Sequence, residues 1–339
     1  MIPNQLETYI EKIPKAELHI HLEGSIEPAT QLKLAEKNKV KIKYNTIEEI
    51  RDAYKFKDLN DFLNIYNMGT KVLRSEEDFY LITMEYLAKA YSQNIVHTEI
   101  FIDFQTYERR NIVPEIIMNG AKAAIKEANE KYNITTYLIL AFLRHLGAKS
   151  AMRTLKKGIE FKDDIIGIGL AASEIGNPPE LFKDVFEVAR ANGFRTTAHA
   201  GEEGPASYVK SSLEILKVDR IDHGNRAMDD PQLIQELIDR KIPLTLCPLS
   251  NIALGNVVNM KEHTLKKKLD LGMMVSVNSD DPAYFGGYVN ENFKEVTKEL
   301  GLDKEDIRKL SANSVISSFL PENDKTKLLK DIELFDKQY

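Results

Sequence analysis

Two histidines near the start of the chain are spaced to bind a metal. His19 and His21 are two residues apart in the short apolar run AELHIHLEGS, residues 16–25. In a β-strand this spacing places both imidazoles on the same face. Two neutral imidazoles on one strand supply half of the ligands of a typical transition-metal site. The same pair is also typical of a solvent-facing strand edge, so its interpretation depends on residues elsewhere in the chain.

Further polar side chains follow short apolar runs that are expected to form strands. They are His199 and Glu202 in TTAHAGEEG, His223 in RIDHGNRA, and Asp280 and Asp281 in VSVNSDDPAYFGG. In a barrel of parallel strands the carboxyl ends of all strands meet at one rim, so residues far apart in sequence can surround one point. We therefore treat these side chains and the two histidines as one group.

Three imidazoles and one carboxylate suit Zn²⁺, with Fe²⁺ as an alternative. The expected ligands are His19, His21, His199 and Asp280. One position is then left for a water, whose pKa the metal would lower from 15.7 towards roughly 7. The fourth predicted strand, IIGIGLAASE, has no lysine or acid before Glu174 that could bridge a second ion. The sequence therefore predicts a single metal per chain.

Four further residues have a chemical and a structural interpretation, and the residues alone leave both open. Glu202 is either a protonated carboxyl that donates to a ring nitrogen or a helix N-terminal carboxylate. His223 either steers the water or has a structural role. Asp281 either hydrogen-bonds to substrate or forms a loop salt bridge. Gly169 either lets substrate approach the backbone or simply permits a tight turn.

The elements that must position these residues alternate along the chain. Short apolar runs predict eight strands, at residues 16–22, 95–102, 135–143, 165–170, 195–199, 220–223, 243–246 and 273–278. Amphipathic stretches predict helices between them, including residues 77–92, 113–127, 179–192, 231–240 and 261–271. This alternation predicts an α/β fold of one domain over residues 1–339, a (β/α)8 TIM barrel with C-terminal helices. The long stretch 32–92 after strand 1 is expected to form a helical lid at the catalytic mouth.

Composition excludes several classes of function. Of the 339 residues, 43% are hydrophobic and 29% are charged, and the net charge is -6 with basic residues dispersed among acidic ones. No nucleic-acid partner is therefore expected. No apolar run reaches membrane-spanning length, and no secretory signal is recognisable, so no membrane partner is expected. The single cysteine excludes an internal disulfide and, with these features, favours a cytoplasmic location.

The motifs HIHLEGS, HAGE, DHG and SDDP, in this order, resemble those of the adenosine/adenine deaminase family of metal-dependent hydrolases. The resemblance implies that a metal-activated water attacks C6 of an aminopurine and that ammonia leaves. It supports the four ligands named above. It also implies that Glu202 protonates N1, His223 contacts the nucleophile, Asp281 meets N7, and the Gly169 backbone contacts N3.

Other segments indicate the branch of this family. RIDHGNRA, TLCPLSN and SEIGNPP resemble the adenine deaminase branch, which implies conversion of adenine to hypoxanthine and ammonia in purine salvage. The nucleoside-acting branch typically has Asp at the position of Glu23. We expect Glu23, together with Ser173 and Glu174, to occupy the volume that a ribose would need. Adenosine or another 6-aminopurine nucleoside, N6-substituted adenine and aminodeoxyfutalosine remain alternative substrates, because they share the chemistry at C6.

Overall fold

The computed structural model describes residues 2–339, and a parallel β-barrel forms its centre. Within these residues the strands form one eight-stranded sheet in which every strand pairs with its neighbours in sequence order. The strands are β1 (Lys15–His21), β2 (Ile95–Asp103), β3 (Thr135–Leu143), β4 (Ile165–Ala171), β5 (Arg195–Ala200), β6 (Arg220–His223), β7 (Leu244–Leu246) and β8 (Val275–Val277). The predicted TIM barrel is confirmed, and each predicted strand is found.

The barrel closes where the first strand meets the segment that follows the last. A parallel bridge joins Ile20 to Asp280. The backbone N–H of His21 donates to the carbonyl of Asp280 at 2.9 Å, and that of Asp280 donates to the carbonyl of His19 at 3.0 Å. The seam of the barrel therefore lies at the histidine pair of β1.

Helices surround the barrel and connect its strands. They are α1 (Asn4–Lys12), α2 (Pro28–Lys37), α3 (Ile47–Asp52), α4 (Leu59–Gly69), α5 (Glu76–Ser92), α6 (Gln105–Glu108), α7 (Pro114–Tyr132), α8 (Ala148–Ile159), α9 (Lys183–Ala191), α10 (Ala206–Ser211), α11 (Pro231–Asp239), α12 (Pro248–Ala253), α13 (Leu265–Asp270), α14 (Pro282–Phe285), α15 (Val289–Leu300), α16 (Lys304–Ile316) and α17 (Glu322–Gln338). Proline at the first helical position suits α7 and α11, because that residue needs no hydrogen-bonded N–H. In the part of the chain that the structure describes, no helix combines the length and apolar character needed to cross a membrane.

Two helices that the sequence predicts as continuous are interrupted. The predicted helix 179–192 begins as a 3₁₀ turn, Pro179–Phe182, before α9. The predicted helix 261–271 is divided into a 3₁₀ turn, Met260–Glu262, and α13. His263 between them has an extended backbone, and its Nδ1 accepts the N–H of Leu265 at 3.2 Å. That side-chain acceptor replaces a helical carbonyl and ends the first turn there.

The helical insertion after β1 is also confirmed, and it packs on the loop that follows β8. Helices α2, α3 and α4 form the insertion, whereas α5 is the ordinary crossover helix that packs against α7. Aromatic rings of the insertion meet rings of α14: the Phe62 and Phe285 centroids are 4.7 Å apart, as are those of Tyr54 and Tyr284. This cluster holds α4 above the carboxyl rim of the barrel.

Candidate active site

Four side chains that can bind a metal ion converge at the carboxyl rim. His19 and His21 belong to β1, His199 belongs to β5, and Asp280 follows β8. Their donor atoms all lie within 4.8 Å of one another. The Nε2 atoms of His21 and His199 are 3.2 Å apart, and Asp280 Oδ1 lies 3.3 Å from Nε2 of His19 and 3.4 Å from Nε2 of His21. The structure thus brings together the four residues that the sequence predicts as ligands.

The donor atoms of this set lie close enough together to share one divalent cation. Two ligand atoms that each sit 2.0–2.1 Å from one ion lie at most about 4.2 Å apart, and the three distances given above are within that limit. Nε2 of His19 is buried and makes no hydrogen bond to the described residues. Burial lowers the pKa of His21 to about 3, so this ring is neutral at pH 7. The residues present therefore fit a bound divalent cation.

Groups outside the cluster lie beside the Nδ1 atoms of two imidazoles. The Thr245 hydroxyl donates to Asp222 Oδ1 at 3.0 Å, so its oxygen is left to accept from Nδ1 of His19, 3.1 Å away. The His19 ring therefore carries its proton on Nδ1 and directs an Nε2 lone pair into the cluster. The other carboxylate oxygen of Asp222 lies 3.4 Å from Nδ1 of His199 without a hydrogen bond to it, and its charge favours the same tautomer there. Partners of this kind are typical of metal-binding histidines.

Three residues at the rim have a left-handed backbone. They are Ala172 with φ 70°, His223 with φ 65° and Asp280 with φ 65°. Residues other than glycine rarely adopt this conformation, which costs on the order of 1 kcal/mol each. All three lie where a strand turns into a rim loop, and Ser250 holds Asp280 there by donating to its Oδ2 at 2.6 Å. The surrounding structure thus imposes these turns, as is common at functional sites.

Glu202 and His223 form a buried pair beside the cluster. Glu202 Oε2 lies 3.5 Å from His223 Nε2, and Asn256 Nδ2 donates to Glu202 Oε1 at 3.3 Å. Burial and the charge of Asp280 raise the pKa of Glu202 well above its usual range. Burial thus favours the protonated carboxyl, which is the state that a general acid requires.

Asp281 is a second buried carboxyl that faces the same pocket. Its Oδ1 makes no hydrogen bond to the residues of the described chain. Burial and the neighbouring Asp280 raise its pKa well above the usual range. Because an unpaired buried polar group costs stability, this oxygen is suited to meet a hydrogen-bonding group of a ligand.

The pocket above the cluster has polar groups at its base and apolar walls. Its base includes His21, His199 and His223 together with Glu202, Asp280 and Asp281. Its walls include Leu59, Phe62, Leu63 and Tyr66 of the insertion and Ala141, Leu143, Ala171, Ala172 and Leu254 of the barrel loops. Such a pocket suits a flat ring that has apolar faces and polar edges.

Gly169 and Ser173 lie near the pocket but are not among the residues that line it. A Cβ at Gly169 would meet Cε1 of Phe101 at 2.5 Å and Cγ2 of Thr197 at 3.2 Å, so the glycine makes room for the Phe101 ring. That ring stacks on His21 with a centroid distance of 4.9 Å. The Ser173 hydroxyl donates to Asn60 Oδ1 of the insertion at 3.3 Å. Gly169 thus contributes to the packing of a predicted ligand.

Glu23 and Glu174 are buried and hydrogen-bonded to protein groups. Glu23 Oε1 accepts from the Tyr107 hydroxyl at 2.8 Å, and burial, with the charge of Asp103, raises the pKa of Glu23 to about 8. Glu174 accepts from two backbone N–H groups, that of Gly201 at 3.0 Å and that of Glu202 at 2.8 Å. Glu174 therefore holds the loop that carries Glu202, a task that the sequence does not suggest.

Sequence reasoning missed Asp103, which lines the pocket at the end of β2. Burial raises the pKa of its carboxyl to about 6, although Gln105 and Thr106 donate backbone hydrogen bonds to it. Its position at the carboxyl end of a strand was available as a signal, because the same rule identified the other rim residues. The apolar wall from α4 was not identifiable in this way, since leucine and phenylalanine at helical spacing are typical of any core helix.

Comparisons with known proteins show which proteins this chain resembles. A family model described as "Adenosine deaminase" matches residues 14–334. The adenine deaminase of Acinetobacter baylyi is 48% identical over 329 residues, which cover 97% of this chain and 99% of that protein. The crystal structure of an adenine deaminase from Arthrobacter aurescens superposes with a TM-score of 0.94 at 42% identity, covering 96% of this chain and 99% of that one.

A more distant structure contains a metal. An amidohydrolase from Burkholderia ambifaria with bound Zn superposes with a TM-score of 0.90 at 26% identity, covering 100% of this chain and 95% of that chain. The fold of this chain thus has a solved counterpart that holds zinc.

Proposed function

This chain belongs to the adenosine deaminase family, and from that premise we propose that it hydrolyses adenine to hypoxanthine and ammonia. The observation that carries the proposal is that one pocket holds a metal-binding cluster, a carboxyl suited to donate a proton, and an unpaired carboxyl oxygen. The relatives named adenine deaminase support the choice of substrate, because they match nearly the whole chain. The reaction would serve purine salvage.

We propose that His19, His21, His199 and Asp280 hold one Zn²⁺. A bound divalent cation of this kind would lower the pKa of a water and so make it a nucleophile at neutral pH. Three imidazoles with one carboxylate are a donor set that suits zinc. The Zn-containing amidohydrolase of similar fold supports this choice of metal.

Glu202 is assigned the transfer of a proton to N1 of the purine. Protonation at N1 draws electrons from C6, where the oxygen of the water adds while the water gives one proton to the Glu202 carboxylate. That proton passes to the amino group, the C6–N6 bond breaks and ammonia leaves. The proton remaining on the new C6 oxygen restores the Glu202 carboxyl as the carbonyl of hypoxanthine forms. The carboxyl must be protonated before reaction, and burial of Glu202 favours that state by raising its pKa. The backbone hydrogen bond to Glu174 holds the loop of Glu202 in place.

We assign to His223 a hydrogen bond to the attacking water and to Asp281 a hydrogen bond to the edge of the purine. His223 lines the pocket, and its Nε2 lies 3.8 Å from Oδ2 of the proposed ligand Asp280, so it could hydrogen-bond to a water held beside that ligand. Asp281 has an unpaired oxygen and a raised pKa, so its protonated carboxyl can donate to N7. Apolar walls on both sides would hold the ring between these groups.

We assign the preference for the free base to Glu23. Glu23 is buried, accepts a hydrogen bond from Tyr107 and does not itself line the pocket. An aspartate at this position would be one methylene shorter and would let the pocket extend towards it. The Ser173 hydroxyl donates to the insertion, and the Glu174 carboxylate accepts from backbone N–H groups. These two residues would therefore influence the shape of the pocket through the segments that they hold in place.

Kinetic measurements with a panel of aminopurines test the proposed substrate preference. The zinc-loaded protein is assayed for ammonia release from adenine, adenosine, 2′-deoxyadenosine and N6-methyladenine. We expect kcat/KM for adenine to exceed that for adenosine by at least about 100-fold. Glu23→Asp should narrow this ratio, whereas Glu27→Asp, on the outer side of the same segment, should leave it unchanged. A higher kcat/KM for adenosine than for adenine would overturn the proposal.

A further inference from the structure

His223 is the inner end of a buried row of three side chains that leads away from the pocket. Its Nδ1 lies 3.4 Å from Nδ2 of Asn251, and Oδ1 of Asn251 lies 3.1 Å from Nε2 of His263. All three residues are buried, with exposed fractions of 0% for His223 and Asn251 and 4% for His263. Neither Asn251 nor His263 contacts the metal-binding cluster, so neither has a role in the chemistry described so far.

The outer end of the row fixes the direction of every hydrogen bond in it. The backbone N–H of Leu265 can only donate, and it lies 3.2 Å from Nδ1 of His263, which must therefore accept. Burial and the charge of Lys268 lower the pKa of His263 to about 3, so the ring is neutral at pH 7. Its single proton is then on Nε2, which donates to Asn251 Oδ1. The Asn251 amide must consequently present Nδ2 to His223.

The hydrogen bond from Asn251 also determines the tautomer of His223 in the pocket. Asn251 Nδ2 donates to Nδ1 of His223, so the proton of a neutral His223 ring is on Nε2. His19 has the opposite arrangement, because Thr245 accepts from its Nδ1 and leaves the Nε2 lone pair free. The ring centroids of these two histidines are only 4.7 Å apart. Their different outer partners therefore separate a histidine that can bind a cation from one that cannot.

We propose that Asn251 and His263 are positioning residues that hold His223 as its Nε2–H tautomer, so that His223 donates a hydrogen bond towards the reacting centre. A ring held in this way neither binds the cation nor accepts a proton from the nucleophile. Proton transfer to the purine is then left to Glu202, 3.5 Å from the same Nε2. The kinetic part of this inference rests on the adenine deamination proposed above.

The tautomer can be observed directly in the native protein. We would record two-bond ¹⁵N–¹H correlation spectra of the zinc-loaded protein with ¹⁵N-labelled histidine, and assign His223 by comparison with His223→Gln. The chain has seven histidines, so the spectrum is small enough to assign. We expect the pattern of an Nε2–H ring for both His223 and His263. An Nδ1–H pattern for His223 would overturn the proposal, whether or not the protein deaminates adenine.

A matched pair of variants tests whether the row controls His223. His263→Gln keeps an N–H donor for Asn251. His263→Glu, ionised beside the charge of Lys268, offers only acceptor oxygens and should reverse the amide. Both lose the bond from Leu265, so they differ chiefly in the direction of the row. We expect the His223 pattern to change to Nδ1–H in His263→Glu alone, and its kcat for adenine to be about 10- to 100-fold below that of His263→Gln.

Asn251→Asp provides an independent test, because a carboxylate accepts from both neighbours. We expect the His223 pattern to invert in this variant, with a lower kcat, a KM within about threefold of the wild-type value, and an unchanged zinc content. Equal kcat and identical His223 spectra for the two His263 variants would contradict the proposal. So would an Nε2–H pattern of His223 in Asn251→Asp.

Discussion

A Cβ atom at Gly24 would overlap the side chain of Asp281. It would lie 2.7 Å from the Cα of Asp281 and closer still to its Oδ1. Gly24 lies three residues after His21, the last residue of β1, whereas Asp281 follows the barrel seam after β8. The close approach of these two segments therefore determines where the unpaired carboxyl oxygen points.

Gly24→Ala should displace Asp281 without removing the cation. A shift of about 1 Å in a group that positions substrate can cost about 100-fold in rate, so we expect kcat/KM for adenine to fall by 10- to 100-fold. Steady-state kinetics and elemental analysis measure both effects. Asp281→Ala should lower kcat/KM similarly, and the double variant should be little worse than Asp281→Ala alone. Additive losses, or loss of zinc from Gly24→Ala, would contradict this account.

Glu202→Gln should retain metal and substrate but lose the proton needed at N1. We expect kcat to fall at least about 100-fold with little change in KM. The neighbouring Glu203, which lies outside the pocket lining, provides the control, because Glu203→Gln should retain most of the activity. Near-normal turnover by Glu202→Gln would show that another group is the acid.

His19→Ala should lose zinc and activity together, since the imidazole is the most enclosed of the proposed ligands. We expect activity to fall at least about 100-fold and the zinc content, measured by elemental analysis, to fall with it. His97 is an equally buried histidine whose partners are Thr135 and Glu99, remote from the cluster. His97→Ala should therefore retain zinc. Unchanged zinc in His19→Ala would remove His19 from the ligand set.

Glu174→Gln separates two roles of this residue, because it preserves volume and removes one acceptor. The carboxamide can accept from only one of the two N–H groups of Gly201 and Glu202. We expect the free energy of unfolding in urea to fall by about 1–3 kcal/mol and kcat to fall with the displaced Glu202. Ser173→Ala is the control and should change neither. A stable, fully active Glu174→Gln would show that Glu174 acts only by filling space.

Asp103 should make the free energy of unfolding depend on pH between about 4 and 6. Burial raises the pKa of its carboxyl from 3.8 in the unfolded chain to about 6 in the folded protein. The folded state then binds more protons over this range, so stability falls as pH rises, by up to about 3 kcal/mol in total. Asp103→Asn should remove this slope. Urea titrations at pH 4, 5, 6 and 7 measure it, and parallel curves for the two proteins would contradict the assignment.

The strands and the proposed ligands could be predicted from the sequence because each is marked by a pattern of a few neighbouring residues. Each strand is a brief apolar run, and the rim residues stand at the ends of such runs, so topology alone brings them together. His19 and Asp280 are 3.3 Å apart because parallel strands of a closed barrel have few ways to arrange their ends.

Other features depend on partners that the sequence does not reveal. Glu174 lies in the predicted loop with Ser173, but its acceptors face N–H groups of a different loop. Gly169 has the backbone freedom expected of a substrate contact, yet the Phe101 ring occupies the space beside it. His263 interrupts a stretch with helical periodicity because its side chain captures the N–H of Leu265. In each case a hydrogen bond or a ring from a distant segment decides the outcome.

The seam between β1 and Asp280 also has a consequence for how the protein matures. The proposed ligands lie on both sides of this seam, so the full donor set forms only after nearly the entire polypeptide has left the ribosome. We therefore expect metal acquisition to be a late event in biogenesis, because an incomplete nascent chain lacks the carboxylate that would finish the site.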